Sequence, residues 1–340
     1  MNETRKSSHN AITSQYPHDD CWELHDVAYV PHVPLSEVEA SEIVSTYHKR
    51  MNEMLRKSNL LCENLSAISG LFSLAYYDLE FRDELSKGIS LMMKVFPSLV
   101  LTAPNLVQGG GGGGGGGGDN NSEELYQRSL SSITEENPVR IGFISSFFSR
   151  ESSIWGNFGT TIRYLQKIPQ FQVDMIYYPR EKIEEQDKML SINPDTNIYL
   201  SKFEASPYGK NLHDARLKIA SRQYDILVYV DLYMTSELHH LALSKLAPIQ
   251  IYTHGHPVTS GIPRDIMDYF LSWEVAELPE DPQRFYTESL IQIPSTNVRI
   301  SLHFFLFLLS FFSTLILHTH THTHRYHGST SNLEQKMACP

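Results

Sequence analysis

The chain has 340 residues, of which 41% are hydrophobic and 20% are charged, proportions that are typical of a folded protein of about two or three domains. Its 28 Lys and Arg against 39 Asp and Glu give a formal net charge of −11, which disfavours nonspecific binding to the nucleic-acid backbone. Three widely spaced cysteines argue against a disulfide scaffold and against a cysteine zinc site. The first residues lack the apolar segment of a secretory signal, so we expect a cytoplasmic or nuclear protein.

The N-terminal third predicts helices. Residues 1–34 are polar, contain three prolines and show no periodicity, so we expect them to be disordered or loosely docked. Residues 35–100 carry apolar side chains at three- and four-residue spacing and predict a small α-helical unit. Its predicted helices begin at Ser36 or Ser41 and reach Leu55, then run over 60–77 and over 82–96.

A glycine-rich segment follows this unit. Ten consecutive glycines occupy 109–118, and glycine loses more backbone entropy on ordering than any other residue. We therefore predict that 101–137 is a flexible linker.

From Pro138 onward, apolar runs alternate with helical patterns, which predicts an α/β fold with a parallel sheet and helices on both faces over 138–298. Ligands of such folds bind at the carboxyl ends of the strands, so the loops there are the candidate site. The predicted strands are 139–145, 171–178, 197–200, 225–230, 249–253, 268–272 and 290–293, and the predicted helices are 155–168, 181–190, 212–221 and 237–246.

The loop after the strand 249–253 has the composition of a binding loop, although a structural turn explains the same residues. Its glycines let the backbone approach a ligand, and its histidines can transfer protons. The two histidines are two residues apart, but no third ligand is near, so we expect no metal. The candidate residues are His254, Gly255, His256, Pro257, Thr259, Ser260 and Gly261.

Two acidic residues follow other strands. Glu151 lies before a predicted helix, where it acts either as a general base or as a carboxylate favoured by the helix dipole. Asp231 follows the most apolar strand and can hold a sugar hydroxyl, while Thr235 or Ser236 can cap the next helix.

Several motifs then occur in one order. Residues 246–294 contain APIQ, GHPVTSG, DYF and YTESLIQIP, and resemble the SPINDLY-type O-linked N-acetylglucosaminyltransferases. The segments VRIGFISSFF at 139–148 and YDILVYVDLYM at 224–234 are similar to the family's opening and central strands. Residues 67–99 also resemble the helical stretch that precedes the catalytic region.

The resemblance implies a GT-B glycosyltransferase, in which two Rossmann-like lobes hold UDP-GlcNAc in a cleft, and 138–298 would be the N-terminal lobe. It implies transfer of N-acetylglucosamine to Ser or Thr of proteins with inversion, without a cofactor or a metal. The loop residues named above would line the cleft, with Gly255 nearest the sugar. Glu151 stands where the family usually has a histidine, so Glu151 and His256 are the candidate catalytic residues.

Residues 299–340 depart from the family. Its second lobe, which binds uridine and diphosphate, should begin near Arg299, but an apolar run and His-Thr repeats follow instead. We expect this tail to be a translated intron or frame error, and the chain to be truncated and inactive alone. The alternative is a membrane segment at 300–317.

Two other functions fit the same sequence. One is a noncatalytic interaction scaffold, in which the helical unit at 35–100 docks partners. The other is a sugar transferase that acts on lipid or glycan acceptors.

Overall fold

The computed structural model of the chain describes residues 20–30, 36–68, 80–107, 133–179, 190–253, 259–278 and 280–293. The tail at 299–340, the glycine run and nearly all of the helix predicted at 181–190 lie outside the described residues.

Parallel strands form the centre of the structure. In chain order the described strands are β1 (Leu101–Thr102), β2 (Val139–Ser145), β3 (Phe171–Tyr177), β4 (Ile198–Tyr199), β5 (Ile226–Tyr229), β6 (Ser244–Lys245), β7 (Ile249–Thr253), β8 (Tyr269–Trp273) and β9 (Ser289–Ile293). Seven of them make one all-parallel sheet in the order β4-β3-β2-β5-β7-β8-β9, and β1 pairs with β6 separately.

This sheet confirms the predicted α/β class and its seven strands, each within one residue at either end. Strands that are covered on both faces must be apolar along most of their length, and β2, β3 and β5 are buried at nearly every position. The strand order reverses between β2 and β5, which makes their carboxyl ends the switch point of a Rossmann-like sheet.

The helices are α1 (Cys21–Ala28), α2 (Glu37–Arg56), α3 (Arg82–Val95), α4 (Pro104–Val107), α5 (Ser153–Leu165), α6 (Lys210–Ala220) and α7 (Ser236–Ala242). Ser36 caps α2 by accepting a hydrogen bond from the backbone of Glu39, as the sequence predicts. The last helix ends earlier than predicted, because Ser244 and Lys245 pair with β1.

Helices cover both faces of the sheet. On one face α5 packs its apolar side, including Phe158 and Ile162, against β2 and β3. On the other face α6, α7 and the helical unit share a single hydrophobic cluster with β5, β7 and β8. The sequence predicted the helical unit but not this shared core. Because the unit and the sheet share one core, they belong to the same folded body.

A buried arginine joins the helical unit to the sheet. Arg216 on α6 is 5% exposed, and its guanidinium donates to the carbonyls of Ser98 (3.1 Å) and Leu99 (3.0 Å). The hydroxyl of Ser244 donates to the same Leu99 carbonyl at 3.0 Å. These bonds hold the segment that leads from α3 into β1 against the sheet. Residues 101–107, which form β1 and α4, therefore correct the prediction that 101–137 is a flexible linker.

Residues 20–30 correct part of the prediction that 1–34 is disordered or loosely docked. The helix α1 buries Leu24, Val27 and Ala28 in the core of the helical unit. A disulfide joins Cys21 to Cys62, a pairing that the wide spacing of the cysteines did not predict. The apolar face and the covalent bond together fix this short helix.

The helix predicted over 60–77 is wrong in its described part. Residues 57–64 are not helical, and only a 3-10 turn forms at Leu65–Ala67. The backbone N–H of Leu61 donates to the Asp20 carboxylate at 2.8 Å, and its carbonyl accepts from Asp20 at 2.9 Å. These bonds to the chain before α1 replace the helical bonds that the apolar spacing suggests. Residues 69–79 of this prediction lie outside the described part.

No helix in the described part of the chain combines the length and apolarity that crossing a bilayer requires. The alternative membrane segment at 300–317 lies outside that part.

The helix α7 buries two adjacent histidines. His239 is 5% exposed and packs edge-on against Tyr233, and His240 is 3% exposed. Burial lowers the pKa of His239 to about 3 and that of His240 to about 4, with smaller contributions from His240 and Arg216 respectively. Both imidazoles are therefore neutral in the folded protein near pH 7.

We predict that replacing Cys62 by Ser lowers the free energy of unfolding by about 4 kcal/mol, the chain-entropy contribution of a disulfide between residues 41 apart in sequence. Urea unfolding under non-reducing conditions measures this. Cys339→Ser serves as the control, because Cys339 is not part of the bond. Equal stability of Cys62→Ser and the oxidised wild type would contradict the prediction.

A second prediction concerns pH. Below about pH 6.5 the unfolded chain protonates both histidines while the folded chain does not, so these groups lower stability as the pH falls, until their folded pKa values are reached. Each contributes about 1.4 kcal/mol per pH unit in this window. The double variant His239→Phe/His240→Leu should lose this dependence when urea unfolding is compared at pH 7 and pH 5.

His213→Gln is the matched control for this experiment, because His213 is exposed on α6. Parallel pH profiles for the wild type and the double variant would show that the prediction is wrong.

Candidate functional site

The switch point of the sheet is organised by a buried aspartate. β2 and β5 are neighbours up to Ile144 and Tyr229, and Asp231 follows β5. Both oxygens of the Asp231 carboxylate accept from the backbone N–H of Ser146 at 3.2 Å. The Ser146 hydroxyl pairs with the Thr235 hydroxyl at 2.9 Å, so Thr235 ties the two loops together and makes no side-chain cap on α7.

Asp231 has an unusual environment for an acid. Its side chain is fully buried, and this burial raises its pKa to about 7, against the opposing effect of hydrogen bonds from Ser145 and Ser146. The carboxyl group is therefore divided between its two protonation states near neutral pH. The predicted contact between Asp231 and a sugar hydroxyl stays a prediction, and in this structure the carboxylate faces protein.

The loop after β7 is described only at its end. His254, Gly255, His256 and Pro257 lie outside the described residues, so their predicted places in the cleft are untested. Thr259, Ser260 and Gly261 are described and buried. We call Thr259–Gly261 the anchored turn.

A glutamate that the sequence analysis did not single out binds the anchored turn. Glu288 is fully buried just before β9, and its Oε2 accepts from the Thr259 hydroxyl at 2.6 Å. Its Oε1 accepts from the Ser260 N–H at 2.8 Å and also from the Ser260 hydroxyl. The signal for this residue was the YTE motif, but a glutamate next to a strand usually reads as a surface residue.

Two further segments fix the anchored turn. The Tyr233 hydroxyl, from the loop after β5, donates to the Ser260 carbonyl at 2.7 Å. Gly261 has φ +69, and a Cβ there would lie 2.7 Å from the carbonyl carbon of Leu85 on α3. Only glycine fits both this left-handed backbone and this contact, so the helical unit packs directly on the turn.

Glu151 lies apart from these contacts. Its side chain is exposed in the turn before α5, where Ser152 caps the helix by accepting from Trp155 at 3.0 Å. No hydrogen bond joins Glu151 to Asp231 or Glu288 in the described ranges, and its catalytic role stays a prediction. The described residues also contain no group of three or more His, Cys, Asp or Glu that could hold a metal ion.

Comparisons with known proteins give one kind of match. No family model matches the chain, and no curated protein does. Among solved structures, the chain is similar to a mutant of the O-GlcNAc transferase of Thermobaculum terrenum, with 15% sequence identity and a TM-score of 0.48. The match covers 83% of this chain and 45% of that chain, so this chain spans less than half of its length.

We predict that Asp231→Asn changes the pH dependence of stability. Because the folded pKa is raised, proton binding by Asp231 stabilises the wild type below about pH 3.8, and this stabilisation is lost as the pH rises to about 7. The variant lacks this loss, so its stability relative to the wild type should increase by up to about 4 kcal/mol between pH 4 and pH 8.

Asp225→Asn provides the comparison, since Asp225 likewise ties β5 to β2 by accepting from the Arg140 N–H at 2.7 Å. Urea unfolding at several pH values measures both variants. A constant difference between Asp231→Asn and the wild type across this range would refute the prediction.

Proposed function

We propose that the described α/β region is a Rossmann-like lobe of a GT-B glycosyltransferase. Its reaction would transfer N-acetylglucosamine from UDP-GlcNAc to Ser or Thr of proteins with inversion, in the cytoplasm or nucleus. The observation that supports it best is the convergence of the TSG and YTE motifs. Residues 259–260 and Glu288 are far apart in sequence, yet they bond to each other and so join the loop that leaves the carboxyl end of β7 to the residue that precedes β9. Ligands of such folds bind at the carboxyl ends of the strands, where that loop begins.

The second support is the way in which this edge is built. The carboxyl ends of β2, β5 and β7 are neighbours in the sheet, so the loops that follow them open on the same edge. The loops after β2 and β5 are joined through Asp231, and those after β5 and β7 through Tyr233. A ligand at this edge would therefore meet a preorganised surface.

Inverting transfer requires a base that removes the proton from the acceptor hydroxyl as its oxygen attacks the anomeric carbon, while UDP leaves with the bonding electron pair. His256 and Glu151 are the candidates for the base. Asp231 has a pKa suited to proton transfer, but it is fully buried, so we assign it the role of holding the loop after β2.

The leaving diphosphate gains negative charge and needs cationic or hydrogen-bond donors. Asp231 and Glu288 are fully buried and hydrogen bonded to the protein, so we do not assign them this stabilisation. We therefore expect the donors for the diphosphate to be residues other than Asp231 and Glu288.

Ligand binding tests the proposal before catalysis. In saturation-transfer NMR, the full chain should transfer magnetisation to the N-acetylglucosamine protons of UDP-GlcNAc. Gly261→Ala should weaken binding by about tenfold or more, because a Cβ forces the turn away from Leu85. Gly156→Ala is the matched control, since a Cβ at Gly156 meets nothing within 4 Å.

Mass spectrometry of Ser- and Thr-containing peptides incubated with the chain and UDP-GlcNAc then tests the expectation that the chain alone is inactive, and we expect no modified peptide. The absence of saturation transfer would refute the proposal. Binding that Gly261→Ala leaves unchanged in a folded variant would place the sugar nucleotide elsewhere on the chain.

A further inference from the structure

We propose that the bond between Cys21 and Cys62 is a redox-sensitive latch, whose reduction releases α1 from the helical unit while the sheet stays folded. In the cytoplasm or nucleus, where we expect this chain, thiols are kept reduced, and the disulfides that form there are usually catalytic or redox-sensing. The bond joins α1 to the segment 57–64, which lies between α2 and the 3-10 turn at Leu65–Ala67. The proposal does not depend on the transfer reaction.

Solvent reaches the region of the bond. Cys21 and Cys62 are half-buried and pack against the hydrophobic cluster, and both neighbours of Cys62 along the chain, Leu61 and Glu63, are exposed. Leu61 is 61% exposed although its side chain is apolar. The rate of thiol–disulfide exchange depends on how readily a thiolate reaches a sulfur atom. The half-buried position therefore allows a reductant to attack the bond in the folded protein.

The co-reactant of the latch is a dithiol. One thiolate of the dithiol attacks a sulfur atom of the bond between Cys21 and Cys62, forms a mixed disulfide and displaces the other cysteine as a thiolate. The second thiol of the reductant then closes its own disulfide and releases the first cysteine. Two electrons and two protons pass to the protein, which gains two thiols, while the dithiol is oxidised. Exchange with a disulfide such as oxidised glutathione reverses the electron flow and closes the latch.

Without the bond, α1 has little stability of its own. It contains eight residues, and isolated helices shorter than about 12 residues are marginal in water. Its N-cap residue Asp20 makes no side-chain cap, and the Asp20 carboxylate accepts from the Leu61 N–H at 2.8 Å instead. The ion pair from Arg50 on α2 to Asp26, at 3.6 Å, is partly exposed and adds little. Docking buries Leu24, Val27 and Ala28. The helix therefore persists only while it stays docked.

The noncovalent bonds between α1 and the segment 57–64 lie beside the disulfide. Asp20 and Leu61 immediately precede the two cysteines, and they form two hydrogen bonds with each other, of 2.8 Å and 2.9 Å. Lys57 and Glu23 form an exposed ion pair, which contributes little. The segment is neither helix nor strand, so its order depends on its contacts. Because the disulfide holds the two Cα atoms 4.9 Å apart, reduction removes the constraint that keeps these bonds together.

The opening should stop at the ends of these segments. The Leu65 N–H donates to the Ala205 carbonyl at 2.7 Å, which ties the chain after the segment to the loop that follows β4. The helices α2 and α3 share one hydrophobic cluster with the sheet, and Leu85 on α3 contacts Gly261. Reduction should therefore loosen 20–30 and 57–64 and leave the rest of the described structure folded.

Hydrogen exchange of the full chain, followed by mass spectrometry, tests the latch. Cys339→Ser is the parent protein, so that Cys21 and Cys62 are its only cysteines. Dithiothreitol, the dithiol of the test, is added to the folded protein without denaturant, and alkylation counts the thiols that form. We expect reduction to speed exchange over 20–30 and 57–64 by about tenfold or more, while β2 and β5 keep their rates.

Cys21→Ser in the same parent is the variant that cannot close the latch. It should exchange over 20–30 and 57–64 like the reduced parent, and dithiothreitol should leave its rates unchanged. Oxidised glutathione should return the reduced parent to slow exchange but should not do so for Cys21→Ser.

Three results would overturn the proposal. The first is a bond that dithiothreitol reduces only after the protein has been unfolded. The second is a reduced parent that exchanges over 20–30 at the oxidised rate, which would mean that α1 stays docked. The third is an equal acceleration in β2 and β5, which would mean that the bond stabilises the whole fold and is no latch. If Cys21→Ser does not fold, reduction of the folded parent carries the test.

Discussion

The bonds between the Glu288 carboxylate and the anchored turn tie the connection between β7 and β8 to the residue that precedes β9. A buried carboxylate is costly unless it is well hydrogen bonded, so Glu288 stabilises the fold only when the turn is in place. The turn depends on Glu288 in the same way, because the Thr259 and Ser260 hydroxyls are buried and need the Glu288 oxygens as acceptors. The geometry of the anchored turn and folding are thereby coupled at one residue.

The helical unit also contacts the anchored turn. It shares a hydrophobic cluster with one face of the sheet, and α3 touches the turn where Leu85 meets Gly261. Arg216 fixes the end of the unit through the carbonyls of Ser98 and Leu99. A unit that only docked partners would not need these contacts, so its packing favours a part in shaping the site.

Much of the fold was predictable from the sequence. The strands of a sheet covered on both faces are long apolar runs, and runs such as DILVYV and IQIYT fixed the positions of β5 and β7 within one residue. The helix predicted at 60–77 was wrong because bonds between Leu61 and Asp20 are set by tertiary structure, which periodicity does not record. The helix α1 was missed for the same reason, since its stability comes from the docked apolar face and the bond from Cys21 to Cys62.

The site was predictable only in part. Asp231 and the turn at Thr259 were identified from their place after apolar strands, but Glu288 was not, because its partners are distant in the chain. The most direct measurement is the amide spectrum of the isotopically labelled full chain during titration with UDP-GlcNAc. We expect saturable shifts of the Ser146, Ser260 and Gly261 amides. A titration that leaves these three amides unmoved while others shift would contradict this expectation.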